Sequence, residues 1–183
     1  MTHPGGAGSG AQAFSLDEKI APWVIFASQH DRFMVDHLTE LNKRGVIIKY
    51  LDAEKMDNPV ALFRTFAQTF KFPAYFGHNW DALVDCLDDL HGDWHGNADV
   101  TAVIERGHLI LRSPHFPLFV SVLCQAAERA NSAVDLDGDL LDRPAIALHF
   151  VFMIEDGDVD ELARTLKVSE RMVVRNGNYI TVE

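Results

Sequence analysis

Apolar residues in this chain fall into short runs and helical stripes separated by Gly, Pro and charged punctuation. Pro22 to Ala27 is an apolar run of strand length. Asp31 then opens a stretch with Phe33, Met34, His37, Leu38 and Leu41 on one helical face. That helix is expected to stop at Lys43-Arg44-Gly45, with cations in the last turn and Gly at its end, and the β-branched run Val46 to Leu51 follows as a strand. Strand, helix and strand with short joints predict a right-handed parallel crossover.

Asp57-Asn58-Pro59 starts a second helix, in which Leu62, Phe63, Phe66 and Phe70 recur at helical spacing before Phe72-Pro73 ends it. A turn at Tyr75 to His78 leads into a helix from Asn79 to about Leu90, then a Gly-punctuated loop to Asn97. Asp99 to Ile104 reads as a strand and Pro114 to Asn131 as a helix. Ile146 to Ile154 is apolar on both faces, the mark of a central strand covered on both sides. Asp158-x-x-Glu161 predicts a capping box for a helix to Leu166, and Val173 to Val182 predicts a hairpin turning at Asn176-Gly177. Short strands alternating with helices place the chain in the α/β class.

Composition narrows this. The 183 residues are 48% hydrophobic and carry a formal net charge of -11, enough to build a core without a disulfide or structural metal. The two cysteines, Cys86 and Cys124, sit inside apolar runs and read as buried thiols, which favours a reducing compartment, and the cytoplasm as the expected location. The first residues lack the basic and apolar regions of a signal peptide, and no run approaches the roughly 18 apolar residues of a membrane span. Excess negative charge repels phosphate backbones and anionic lipid, so cationic surfaces are favoured as partners over nucleic acid or membrane.

The informative segment is the helix from Asn79. Trp80, Leu83, Val84, Leu87 and Leu90 form an apolar stripe, while Asp81, Asp85 and Asp88 fall at i, i+4 and i+7 on another face, joined by Asp89. No Lys or Arg occurs between Lys71 and Arg106. Like charges at i, i+4 destabilise a helix by about 0.2 to 0.5 kcal/mol per pair, and only Asp81 is near enough to the N-terminus to gain from the macrodipole. A merely solvated face would normally intersperse Lys. The pattern points to a rigid row of carboxylates that meets a cationic surface.

These residues carry a resemblance. Pro73-Ala-Tyr-Phe-Gly-His-Asn-Trp-Asp-Ala-Leu-Val-Asp-Cys-Leu87 resembles the central motif of barstar, the intracellular inhibitor of the ribonuclease barnase. The element order from Val46 to Ile154 is similar to the barstar fold, which implies a three-stranded parallel sheet packed by helices. The resemblance implies that Asp85 enters a nuclease active site where the RNA phosphate would bind. It places Tyr75, Phe76, Gly77, Asn79, Trp80, Asp81, Val84 and Asp88 on or beside the same surface. Departures are Val84, where barstar has a contacting tryptophan, Asp88 and Asp89, where it has neutral residues, and Gln125, which replaces an acidic contact.

Other signals are weaker. His91-x-Asp93-x-His95 with His78 nearby has metal-ligand residue types, but its Gly-flanked loop is the usual composition of plain surface. Asp135-x-Asp137-x-Asp139 lacks the Gly and the bidentate Glu of a calcium loop. The expectation is therefore an α/β barstar-like domain over residues 46–156, preceded by a flexible tail (1–15) and a strand-helix extension (16–45) that extends the parallel sheet, and followed by a helix and hairpin extension (157–183). Its expected role is a non-enzymatic inhibitor, needing no cofactor or metal, in a 1:1 complex with a basic ribonuclease or nuclease toxin, as an immunity protein would be. The alternatives are a metal-dependent hydrolase or metal-binding protein using Asp81, Asp85, His78, His91 and His95, and a barstar-derived module that joins some other protein.

Overall fold

Strand-forming segments outnumber those of the expected three-stranded sheet, and a computed structural model, describing residues 14–90, 96–134, 139–168 and 170–183, shows where they go. In chain order the elements are β1 (Val24–Ser28), α1 (Arg32–Lys43), β2 (Ile47–Asp52), α2 (Pro59–Phe70), α3 (Trp80–Asp88) and β3 (Val100–Glu105). Then come α4 (Phe116–Asn131), β4 (Leu148–Ile154), α5 (Asp156–Thr165), β5 (Val173–Asn176) and β6 (Tyr179–Val182). All six strands join one sheet in the order β2-β3-β4-β1-β6-β5.

The sheet is larger than the expected three-stranded core and is mixed, not wholly parallel. Parallel pairing of β2, β3 and β4 is present, and the N-terminal strand extends the parallel sheet as expected, β1 adding to the far side of β4 with Val24 opposite Phe150. The β5–β6 hairpin then adds to β1 antiparallel, Val24 opposite Val182, so the sheet is mixed. The predicted crossover does not join neighbours, because β3 and β4 lie between β1 and β2. Burial explains the placement: Val24 to Ala27 are inaccessible on both faces and need strands on either side, whereas β2, with half-buried Lys49 and exposed Tyr50, suits an edge.

β4 is buried at every position, as its apolar pattern predicts. Phe150 and Phe152 face a large core beneath α2, α3, α4 and α5; Val151 and Met153 face a smaller one under α1. Full burial of each such side chain is worth about 1.5 to 3 kcal/mol.

Local chemistry sets the helix ends, with three departures from the sequence pattern. Asp31 caps α1 by accepting from the Met34 amide at 3.1 Å, and Asn58 caps α2 by accepting from Ala61 at 3.0 Å. Phe33, expected on the inner face of α1, is 55% exposed, because the buried stripe is Met34, Leu38 and Leu41 and Phe33 lies one position off it. α5 begins at Asp156 with Glu155 as its cap residue, so Asp158 is a first-turn carboxylate favoured by the macrodipole rather than a capping-box cap. The hairpin turns at Gly177-Asn178, since Asn176 pairs with Tyr179, and Gly177 takes the positive φ of 61° that a tight hairpin turn demands.

The N-terminal segment is tied to the sheet. Leu16 is inaccessible, Phe14 packs edge-on against Tyr179 at 5.4 Å, and Asp17 pairs with Arg44. Residues 1–13 of the expected tail lie outside the described residues. Buried His149 on β4 holds this segment from beneath: its Nδ1 and Nε2 lie 2.9 and 2.8 Å from the carbonyl oxygens of Pro22 and Glu18. A neutral ring donates to only one of them.

Burial pushes His149 below the usual imidazole pKa, outweighing those carbonyls and the nearby charges of Asp99 and Asp17; burial likewise lowers His37 and His115. The unfolded chain therefore takes up protons first. This contribution is complete above an unfolded value of about 6.5 and is lost as pH falls below it. Urea unfolding at pH 7.5 and 5.5 should show lower stability at 5.5. His149→Leu should lose about 1 to 3 kcal/mol at pH 7.5, from the carbonyl that loses its donor, and should flatten the pH slope. An unchanged slope in the variant would contradict this role for the ring.

Candidate partner-binding face

The site begins with a turn that local hydrogen bonds shape before α3 starts. The Phe76 amide donates to the Pro73 carbonyl at 3.0 Å, and His78 Nδ1 lies 2.8 Å from the Phe76 carbonyl oxygen. A Cβ at Gly77 would come within 3.1 Å of Asn79 Nδ2 and 3.4 Å of Ala82 Cβ, so this close approach suits glycine. Asn79 then caps α3, its Oδ1 accepting from the Ala82 amide at 2.8 Å.

Aromatic contacts lock the turn and the helix start onto α2 and α4. Trp80 meets Phe63 edge-on at 4.8 Å and lies 6.3 Å from Phe119; Phe76 meets Phe72 at 5.0 Å. Leu83, Val84, Cys86, Leu87 and Leu90 are buried, which fixes the rotation of the helix about its axis.

The nine residues expected to form the partner surface divide on this rotation. Tyr75 is 75% exposed, and Gly77, Asn79, Asp81 and Asp85 are also exposed. Trp80 and Asp88 are mostly covered but reach the surface. Phe76 and Val84 belong to the core, 5% and 3% exposed, so their side chains are not offered to a partner. The helical stripe that included Val84 already signalled this placement; Phe76, in the turn, had no such pattern.

Sequence reasoning missed the cations of the site. Arg129 on α4 reaches Asp85, Nη1 to Oδ1 3.2 Å, and Arg143, ahead of β4, pairs with Asp88. Arg143 also donates to the main-chain carbonyl of Arg129 at 3.4 Å. The carboxylate row expected to await an external cation is thus partly met from within the chain. Beside it runs a groove of about 960 Å³ reached by Asp88, Gln125, Glu128, Arg129, Arg143 and Arg171.

Both thiols are free and buried, as their apolar surroundings predict. Burial pushes Cys124 up to about 12, and burial followed by the charges of Asp85 and Asp89 raises Cys86, so neither is a ready nucleophile. Among the described residues no cluster of His, Cys, Asp or Glu is arranged to hold a metal. His91, Asp93, His95, Asp135 and Asp137 lie outside the described residues. No helix among the described residues is long and apolar enough to cross a membrane.

Comparison with solved structures finds the ORC2 protein of Aeropyrum pernix, described in ADPNP-ADP complexes, with a TM-score of 0.50 and 17% identity. The match covers 74% of this chain and 33% of that one, so it shows likeness of fold alone. Comparison with curated proteins finds no match. The family model described as Barstar (barnase inhibitor) matches residues 46–138, which run from β2 through α4 and include the turn, α3 and Arg129. With just over half of the chain matched, and the acidic helix inside the match, the chain belongs to the Barstar (barnase inhibitor) family.

Proposed function

We propose that this protein is a stoichiometric, non-enzymatic inhibitor that occludes the active site of a ribonuclease or ribonuclease-like toxin with the α3 face, working in the cytoplasm as an immunity protein. The observation that carries the reading is the exposed Asp85 carboxylate on a helix whose opposite face is locked in the core. A ribonuclease holds Arg, Lys and His around the scissile phosphate, and a rigidly presented carboxylate satisfies those donors without being cleaved. Tyr75, Gly77 and Asn79 supply an adjoining surface with an exposed aromatic ring, and Asp81 adds charge one turn earlier. Occlusion requires shape and charge, with no bond made or broken. Metal, cofactor and catalytic residue have no part in it.

Magnitudes for such contacts come from barnase and barstar themselves, whose close charge pairs couple by about 1.5 to 7 kcal/mol. Barnase is the available probe. Asp85→Ala should weaken its binding by about 2 kcal/mol or more, read by calorimetry, while changing unfolding stability by less than about 1 kcal/mol, because the Arg129 pair it breaks is exposed. Equal binding by variant and wild type would sink the assignment of Asp85.

Long-range attraction should set the association rate. Screening acts over about 8 to 10 Å at physiological ionic strength, so stopped-flow association with barnase should slow steeply as salt is raised, while the complex stays 1:1. Rates that stay flat with salt would count against a carboxylate-led face.

A further inference from the structure

We propose that Arg129 is a specificity-determining residue of the α3 face: it competes from within the chain for Asp85 and weakens binding to ribonucleases that offer cations alone. The inference rests on the inhibitor reading and adds a restraint to it. Its first support is geometric, the 3.2 Å contact between Arg129 Nη1 and Asp85 Oδ1. The second is that the backbone of Arg129 is held in place. It lies in the last turn of α4, where the macrodipole favours a cation, and its main-chain carbonyl accepts from Arg143, whose own guanidinium is braced by Asp88. The third is access, since the Arg129 side chain is 38% and the Asp85 side chain 71% exposed, so both charges face an incoming partner.

A partner that brings only arginines and lysines meets a carboxylate already engaged and a like charge beside it. It must displace the guanidinium and tolerate its repulsion. A partner that also presents a carboxylate or another acceptor opposite Arg129 takes both charges without breaking either. The face therefore prefers a basic ribonuclease with an acceptor set beside its active-site cations. Gln125 and Glu128, exposed on the same stretch of α4, extend this mixed-charge edge along the groove.

The test is a double-mutant cycle with barnase as the probe: wild type, Arg129→Gln, Asp85→Ala and the double variant, with inhibition constants, association rates at low salt and thermal unfolding for each. Arg129→Gln should unfold like wild type and bind about tenfold more tightly, mainly through faster association. That gain should shrink in the Asp85→Ala background, where only the relief of like-charge repulsion remains. Wild-type binding that Arg129→Gln leaves equal or weakens would overturn the restraint while leaving the inhibitor reading intact. A gain of undiminished size without Asp85 would overturn the competition for that carboxylate. Absence of binding by wild type and Arg129→Gln alike would overturn both, because a released Asp85 should bind barnase.

Discussion

Burial of Leu83, Val84 and Leu87 in the core that α3 shares with α4 is the constraint on which the rest of the α3 face depends. Each such side chain contributes about 1.5 to 3 kcal/mol, whereas the like-charge pairs on the other side of the helix cost about 0.2 to 0.5 kcal/mol each. The core term wins by a wide margin, so one short helix can carry Asp81, Asp85, Asp88 and Asp89 and still be ordered. Because the buried residues also set the rotation of the helix, Asp85 has only one direction to face. The aromatic contacts of Trp80 and Phe76 and the Asn79 cap then determine where the helix begins.

Charge on this face is balanced from within the chain, and the balance is uneven. Arg143 and Asp88 are each about four-fifths buried, 20% and 22% exposed, and act as a brace between α3 and the approach to β4. Arg129 and Asp85 are more open, and an exposed pair contributes at most about 1 kcal/mol to folding. A weak, exposed pair is easily exchanged, which makes it a poor staple for the fold and suits the discriminating role proposed for it.

Much of this was legible in the sequence because it is local. The Asn79 cap, the Leu83 and Leu87 stripe, the apolar run that became β4 and the Asn58-Pro59 helix start all depend on spacings of a few residues. The Pro73 to Leu87 motif located the acidic helix for the same reason. What was not legible depends on distant pairing. The seat of β1 between β4 and β6 is decided by strands more than a hundred residues away, and Arg129 reaches Asp85 across 44 positions of chain. Val84 and Phe76 show a different gap. A family likeness names positions near an interface, but only the rotation of the helix and the path of the turn decide which side chains point outward.

The proposal that the α3 face, fixed by its own core, is the surface that meets a ribonuclease can be checked residue by residue by amide chemical-shift mapping on addition of barnase. Perturbations should be confined to residues 75–89 and the neighbouring stretch of α4 from Gln125 to Arg129, with the β5–β6 hairpin and α1 unaffected. Perturbations centred on α1 or the hairpin, with α3 silent, would contradict it.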